Sequence, residues 1–300
     1  MSDPLAPSVL LLQQTALANN TKVLLSTALA ADAGALGTQP PALVIDQPTA
    51  GSTLLIDATP AMPVINCRAR ISGVNPDPTA LTDFSWDIVI SETPRQGSCL
   101  SAQVVCSNQE TGNSTGGSWT PALGFIQGGE ARIKVSVTVN GRRLAAEVSV
   151  HVRGTNPTPA TITAACGGPG SDADQVACHE SSRRQFWTDG LPLRGSGGDV
   201  GIMQLCNPAA TCEQRWNWSA NVTRGVALLQ TKRAEATVYL NRHAPGGNYP
   251  NDGHLTDAEV LQRETLQRYN GGRYWQWDSS GNVWRAQPPN TYVSDVLRCS

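Results

Sequence analysis

One glutamate in the C-terminal half occupies a position where a carboxyl group could act as a catalytic acid. After Gly170 the apolar residues recur at helical spacing, and Ser171 can cap the helix that begins there. Glu180 falls on the same helical face as Ala173 and Val176, which is the apolar face. A carboxyl group on such a face loses solvation, which favours its neutral form and raises its pKa. An acid of this kind can donate a proton to a glycosidic oxygen near neutral pH.

The same helix also permits a structural interpretation of Glu180. Arg183 and Arg184 follow within about one turn, and an ion pair with either would keep the glutamate charged. The helix by itself therefore leaves two interpretations open, a catalytic acid and an ion-pair partner.

Four short motifs occur in the C-terminal half in a fixed order. They are His179-Glu180-Ser181, Gly201-Ile202-Met203-Gln204, the segment 216–222 that runs into Gly225, and Tyr269-Asn270-Gly271. In this order they resemble the lytic transglycosylase domain of the soluble transglycosylase type, which shares the lysozyme fold with goose-type lysozymes. The resemblance covers roughly residues 172–297. This sequence departs from the family in a longer glycine-rich stretch, 189–198, and an insertion, 243–254.

The resemblance implies a single-acid mechanism on peptidoglycan glycan strands. Glu180 would protonate the oxygen between N-acetylmuramic acid and N-acetylglucosamine, and the acetamido oxygen of the substrate would stabilise the cationic centre. Glu180 would then act as a base and take the proton of the muramoyl 6-hydroxyl, which closes a 1,6-anhydro ring. No water is consumed, so the enzyme would be a lyase. Neither a cofactor nor a metal ion is implied.

Five further residues are implied to form the substrate site around Glu180. Ser181 would help to order the active site, and Met203 with Gln204 would line the floor of the groove. Tyr269 would approach the catalytic carboxylate, and Asn270 would support the loop that carries it.

A second carboxylate would change the reaction. The candidates in this half are Asp189, Asp199 and Glu264. If one of them faces Glu180 across the cleft with room for water, inverting hydrolysis becomes possible, as in a goose-type lysozyme. The alternative enzyme is therefore a goose-type muramidase, and the alternative of another class is a non-enzymatic structural component of a tail or adhesin assembly.

The N-terminal half has the period of β-strands from about residue 42 to residue 153. Apolar and polar residues alternate in the segments 65–72, 84–90, 132–139 and 146–152. Asn140-Gly141, between the last two, is a strong hairpin signal. This half resembles an immunoglobulin-like β-sandwich, with Trp86 placed like the core tryptophan of a central strand. Cys67 points inward, but no cysteine occupies the 131–139 strand, so the inter-sheet disulfide of antibody domains is not expected.

The sequence therefore predicts a multidomain protein, with an all-β immunoglobulin-like sandwich followed by a mainly α lysozyme-like domain. We expect an N-terminal helical arm at 1–40, the sandwich at 41–153, an interdomain linker at 154–165 and the lysozyme-like lytic transglycosylase domain at 166–300. The arm is either a packing helix or a docking segment for a larger assembly. The sandwich is interpreted as a spacer or adhesion unit, with glycan binding as the alternative.

The cysteines indicate the compartment in which the protein acts. Eight are present and none forms a C-x-x-C pair, which argues against a zinc ribbon or a redox motif. Disulfides are the expected use, and they indicate an oxidising compartment. Two small loops, Cys206 with Cys212 and Cys99 with Cys106, are conceivable pairings, and the spacing leaves the connectivity open.

The first 20 residues lack the basic start and continuous apolar run of a secretory signal. No stretch reaches the length of a membrane span. We therefore expect synthesis in the cytoplasm and action in the periplasm or cell wall, with delivery by a phage tail or secretion-system assembly that holds the arm or the sandwich. The net charge of −2 makes a nucleic-acid partner unexpected.

Overall fold

The computed structural model describes residues 40–75, 77–93, 97–243, 249–250, 254–287 and 291–299. Apart from residue 40, the predicted N-terminal arm (1–40) lies outside the described residues. Within them, the N-terminal half is built from β-strands and the C-terminal half is mainly helical. The predicted order, a β region followed by an α region, is confirmed at this level.

Two sheets form the N-terminal half. The strands are β1 (Ala42–Gln47), β2 (Thr53–Ile56), β3 (Cys67–Ser72), β4 (Asp83–Glu92), β5 (Cys106–Thr115), β6 (Ser118–Trp119), β7 (Gly129–Val139) and β8 (Arg142–Gly154). One sheet has the order β1-β3-β6 and the other the order β2-β8-β7-β4-β5. Neighbouring strands are antiparallel except β2 and β8. A 3-10 turn (Thr79–Leu81) and a short helix α1 (Leu100–Gln103) lie in the connections.

The alternating pattern gives each strand one buried and one solvent-facing side. In β7, Ile133 and Val135 are buried, whereas Lys134 between them is exposed. The predicted hairpin is confirmed: β7 and β8 pair up to Val139 and Arg142, with Asn140-Gly141 as the turn. Both turn residues have positive φ, 51° and 78°, which asparagine and glycine tolerate better than other residues.

The two sheets share one hydrophobic core. Ile71 of β3, Trp86 of β4 and Val135 of β7 belong to the same buried cluster. Trp86 is only 2% exposed, and its indole Nε1 donates a hydrogen bond to Ser114 Oγ at 2.9 Å. Cys67 faces this core and forms no disulfide. Burial raises the pKa of its thiol to about 12, so the thiol is unreactive near neutral pH.

Six helices and one hairpin form the C-terminal half of the described chain. They are α2 (Pro159–Ala165), α3 (Asp172–Ser181), α4 (Cys212–Trp216), α5 (Trp218–His243), α6 (Asp257–Tyr269), β9 (Trp275–Asp278), β10 (Val283–Ala286) and α7 (Thr291–Arg298). Their main core contains Val176 of α3, Leu229 of α5 and Leu266 of α6. No helix among the described residues combines the length and the apolar composition that crossing a bilayer requires.

The segment 154–165, expected to be a linker, is packed structure instead. Gly154 is the last residue of β8, and Pro159–Ala165 forms α2, which Thr158 caps by accepting a hydrogen bond from Thr161 N–H at 3.2 Å. Ile162 of α2 is fully buried in the core of the helical half. The apolar side chain of Ile162 fixes the segment because its burial is favourable.

Aromatic side chains of the helical half enter the core of the β half. Phe186 and Trp216 belong to the same buried cluster as the sheet residues. A Cβ on Gly154 would lie 2.2 Å from the Phe186 ring, and one on Gly128 would lie 2.3 Å from the Trp216 ring. Both glycines are therefore needed for the close approach of the two halves.

Two of the three disulfides join the two halves. The pairs are Cys99–Cys206, Cys106–Cys212 and Cys178–Cys299. The expected use of cysteines in disulfides is confirmed, but the two small loops considered from the sequence are wrong. The segments 99–106 and 206–212 lie side by side, since Ser101 Oγ donates a hydrogen bond to Leu205 O and accepts one from Ala210 N–H, both at 2.7 Å. The cysteines of segment 99–106 therefore form disulfides with those of segment 206–212 and not with each other.

Candidate active site

Helix α3 carries Glu180 in its last turn. The side chain of Ser171 caps the start of the helix, as expected. Ser182 follows the last turn with a φ of 53°, so the chain changes direction immediately after Glu180. Ser181 is 5% exposed, and its hydroxyl donates a hydrogen bond to Ala177 O at 2.9 Å. Ser181 therefore fixes the end of the helix beside Glu180 and presents little surface to a ligand.

The two arginines that could have paired with Glu180 have other partners. Arg183 Nε and Nη2 donate to the two carboxylate oxygens of Asp174, at 2.8 and 3.0 Å. The guanidinium of Arg184 lies over the Trp187 ring, with 5.9 Å between its Cζ and the ring centroid. Within the described ranges, no lysine or arginine forms an ion pair with Glu180. Neither Arg183 nor Arg184 therefore forms the ion pair with Glu180 that the structural interpretation requires.

The surroundings of Glu180 favour its neutral form. Burial raises the pKa of Glu180 above its usual value, and the negative charge of Asp199 adds to this effect. The hydrogen bond from Tyr292 and the nearby His179 act in the opposite direction without reversing it. Tyr292 donates its hydroxyl to Glu180 Oε1 at 2.7 Å. Glu180 is thus a partly buried acid that is held by a phenol.

Helix α7 brings Tyr292 to this position. Val293 of α7 is fully buried in the helical core, and the disulfide Cys178–Cys299 joins α3 to the residue that follows α7. Burial and the charge of Glu180 raise the pKa of Tyr292, so its hydroxyl stays protonated and available as a donor.

The turn 201–204 shares a hydrophobic core with the helix that carries Glu180. The backbone N–H of Met203 donates to Asn221 Oδ1 at 2.9 Å, and Gln204 Nε2 donates to Gly201 O at 2.7 Å. Met203 is 0% exposed, and a Cβ on Gly225 would lie 2.3 Å from its Cγ. The expectation that Met203 lines the groove therefore needs correction, because its side chain is packed below the turn. Gln204 is partly exposed and can reach a ligand.

The last motif, Tyr269-Asn270, ends α6. Tyr269 donates its hydroxyl to Met203 O at 2.6 Å, so it anchors the turn from the other side. Burial raises the pKa of Tyr269, and the negative charge of Glu180 contributes to this rise. Asn270 is the exposed C-cap of α6, and its backbone N–H donates to Leu266 O at 3.3 Å. Tyr269 therefore links the turn to the surroundings of Glu180, whereas Asn270 is exposed at the end of α6.

The three candidates for a second acid occupy different surroundings. Asp189 is exposed and accepts a hydrogen bond from a backbone N–H in a turn at 2.9 Å. Glu264 is fully buried and accepts hydrogen bonds from Arg268 Nε at 2.8 Å and from two backbone N–H groups. Asp199 is the only one of the three whose charge affects the pKa of Glu180. In the part of the chain that the structure describes, no N–H or O–H group donates to its carboxylate.

Tyr292 was absent from the residues predicted for the site. A signal for it exists in the sequence, since residues 291–298 have apolar residues at helical spacing and a cysteine follows at 299. The contact itself joins residues 112 positions apart, and no local pattern indicates which helix a terminal segment will meet.

Neither a metal site nor a related protein identifies the function of this site. No group of three or more His, Cys, Asp or Glu side chains that could hold a metal ion occurs among the described residues. No family model matches the sequence, and no curated protein matches it. The solution structure of the PKD domain (329-428) from human KIAA0319 aligns with 43% of this chain and 96% of that chain, at 18% identity and a TM-score of 0.23. A TM-score this low assigns neither fold nor function.

Proposed function

We propose that the protein cleaves peptidoglycan glycan strands as a lytic transglycosylase with Glu180 as its catalytic acid. One observation carries the proposal: Glu180 is a partly buried carboxyl group with a raised pKa, a phenol on one oxygen and no ion-paired lysine or arginine among the described residues. A carboxyl group in this state can donate a proton near neutral pH. Its charge acts on Tyr269, which holds the turn 201–204, and Tyr269 and this turn belong to two of the other three motifs of the family that the sequence resembles.

The chemistry begins with Glu180 protonated. It gives its proton to the glycosidic oxygen as the bond from that oxygen to the anomeric carbon of N-acetylmuramic acid breaks. The acetamido oxygen of the same sugar bonds to the anomeric carbon and holds the positive charge. The 6-hydroxyl oxygen then displaces the acetamido oxygen, and its proton returns to Glu180. The products are a free N-acetylglucosamine 4-hydroxyl and a 1,6-anhydro ring, without consumption of water.

The residues around Glu180 orient its carboxyl group and the segment that would bind the glycan. Tyr292 donates to Oε1, and no donor to Oε2 is found among the described residues, so Oε2 remains available for proton transfer. Tyr269 holds the carbonyl of Met203 and thereby fixes the turn that carries Gln204. Gln204 is partly exposed next to this centre and supplies an amide for hydrogen bonds to the glycan.

A goose-type muramidase is the second candidate, and Asp199 favours it. Its negative charge acts on Glu180, and no N–H or O–H group of the described chain occupies its carboxylate. A carboxylate on the opposite side of the glycosidic bond could activate water for inverting hydrolysis. The products would then carry reducing ends instead of anhydro rings.

Mass spectrometry of soluble muropeptides after digestion of purified peptidoglycan tests both candidates. Under the proposal, wild type and Asp199→Asn release the same anhydro-muropeptides, each lighter by one water than its hydrolysed counterpart. Reducing-end products that disappear in Asp199→Asn would establish the muramidase instead. No product from folded wild-type protein would overturn both and favour a structural component of a tail or adhesin assembly.

The remaining parts of the proposal concern fold and location. The helical half is a lysozyme-like domain, and the β half is an immunoglobulin-like module that acts as a spacer or adhesion unit. The three disulfides support action in an oxidising compartment such as the periplasm or cell wall. Delivery by a phage particle or secretion machine is consistent with such a location.

A further inference from the structure

A second candidate site lies along α5 and the end of α6. Two adjoining cavities of about 320 and 460 Å³ share Glu235, Arg268 and Arg273 in their walls. The other lining residues are Thr231, Lys232, Ala234, Val238, Tyr239, Arg242, Gly271 and Gly272. None of these residues belongs to the candidate active site.

The walls of these cavities carry more positive than negative charge. Lys232 Nζ lies 3.1 Å from the Glu235 carboxylate, and Arg268 Nη1 lies 3.9 Å from it. Glu235 thus has two cationic neighbours, and one of them, Arg268, is also paired with the buried Glu264. Arg242 and Arg273 have no carboxylate partner among the described residues.

One aromatic ring holds two of these guanidinium groups in place. The Cζ atoms of Arg273 and Arg268 lie 4.4 and 5.0 Å from the ring centroid of Tyr239. Tyr239 is itself fixed, since its hydroxyl donates to Trp275 O at 3.2 Å. Stacking on a ring restrains a guanidinium while its N–H edge stays free to bind. Nη2 of Arg268 has no hydrogen-bond partner in the described part of the chain.

We infer that this site binds a phosphate group carried by a larger molecule. Guanidinium groups bind phosphate and carboxylate through paired hydrogen bonds. A carboxylate offers two oxygens, which one arginine can occupy. Arg242 and Arg273 have no carboxylate partner among the described residues, and Lys232 lies nearby. Together they match the greater number of oxygens and the higher charge of a phosphate. The apolar side chains of Ala234 and Val238, on the wider cavity, can contact the carbon body of such a ligand.

Titration of the full-length protein with inorganic phosphate at constant ionic strength tests the inference. The readout is the shift of the arginine Nε–Hε signals in ¹H–¹⁵N NMR spectra. We expect saturable shifts at Arg242 and Arg273, and weakening of binding by about tenfold in Arg273→Gln, the value of one charge-assisted hydrogen bond. Arg242→Gln serves as a second variant at the same cavity, in case the loss of Arg273 from the Tyr239 ring perturbs the fold.

Arg142→Gln is the matched control, because it removes one exposed arginine from the β half. It should leave phosphate binding unchanged, and Glu180→Gln should also leave it unchanged, which separates this site from the proposed catalysis. Shifts that do not saturate, or equal weakening by Arg142→Gln and Arg273→Gln, would overturn the inference. Poly(glycerol phosphate) and phosphatidylglycerol vesicles then distinguish a wall polymer from a lipid headgroup. Whichever of them binds wild type should bind Arg273→Gln more weakly.

Discussion

Two buried or partly buried glutamates have opposite surroundings. Glu92, 9% exposed at the junction of the two halves, accepts hydrogen bonds from Arg194, from Arg215 Nη1 at 3.2 Å and from Trp216 Nε1 at 3.1 Å. Glu180 has one phenol as its hydrogen-bond donor and no guanidinium among the described residues. Both carboxyl groups are withdrawn from solvent, but only Glu92 is bound by guanidinium groups within the described chain.

The difference shows how the surroundings of a carboxyl group decide its role. Two guanidinium groups and an indole N–H of the helical half bind the carboxylate of Glu92, which thereby joins the two halves. Burial without guanidinium partners raises the pKa of Glu180 and leaves a proton available for transfer. A buried carboxyl group without a guanidinium partner is a candidate functional group. A buried carboxylate that guanidinium groups bind has a structural role instead.

The substitution Glu180→Gln tests the functional side of this comparison. It removes the transferable proton and keeps the shape of the side chain, so we expect peptidoglycan cleavage to fall by about 100- to 10,000-fold. Turbidity of a peptidoglycan suspension measures the loss, and circular dichroism confirms the fold. Glu147→Gln, on the exposed face of β8, should retain full activity. Activity close to wild type in Glu180→Gln would remove Glu180 from the mechanism.

Substitution of Arg215→Met tests the scaffold side. It leaves a hydrophobic chain of similar length but takes one cation from the buried carboxylate of Glu92, so we expect a loss of about 3–5 kcal/mol in the free energy of unfolding. Urea unfolding followed by tryptophan fluorescence measures it. The exposed substitution Arg142→Gln should cost less than about 0.5 kcal/mol. An equally small loss in Arg215→Met would show that the junction does not depend on this cluster.

Features that depend on neighbouring residues were predictable from the sequence. The alternation in β7 and the Asn140-Gly141 turn indicated the hairpin, and Ser171 indicated the start of α3, which its side chain caps. The helical position of Glu180 was predictable in the same way, because three to four residues per turn place it on the apolar face.

Features that join distant segments were not predictable in this way. The disulfides Cys99–Cys206 and Cys106–Cys212 link residues 107 and 106 positions apart, whereas spacing suggested loops within each segment. The contact of Glu92 with Arg215 spans 123 positions. No local sequence period predicts such long-range contacts, because they depend on how whole helices and strands pack together.

The substitution Tyr292→Phe alters the one hydrogen bond that distinguishes the surroundings of Glu180. Since this bond favours the charged form, its loss raises the pKa of Glu180 further. We expect activity to fall by about tenfold, the value of a hydrogen bond to a charged group. The alkaline limb of the pH–activity profile should move to higher pH, which a purely structural effect would not cause. Tyr274→Phe, which removes a hydroxyl that accepts a hydrogen bond from Arg263, should leave that limb in place.

The smallest expected effect is on stability as a function of pH. The pKa of Glu180 is higher in the folded protein than the usual 4.5, so the folded state binds its proton more tightly than the unfolded state does. The stabilising effect of this proton is complete below pH 4.5 and is lost as the pH rises through the folded-state pKa. Glutamine resembles the protonated acid at every pH. Urea unfolding should therefore find Glu180→Gln gaining stability over wild type as the pH rises from acidic to neutral. A difference that stays constant would mean that Glu180 has the same pKa in both states, and its burial would then not favour the neutral form.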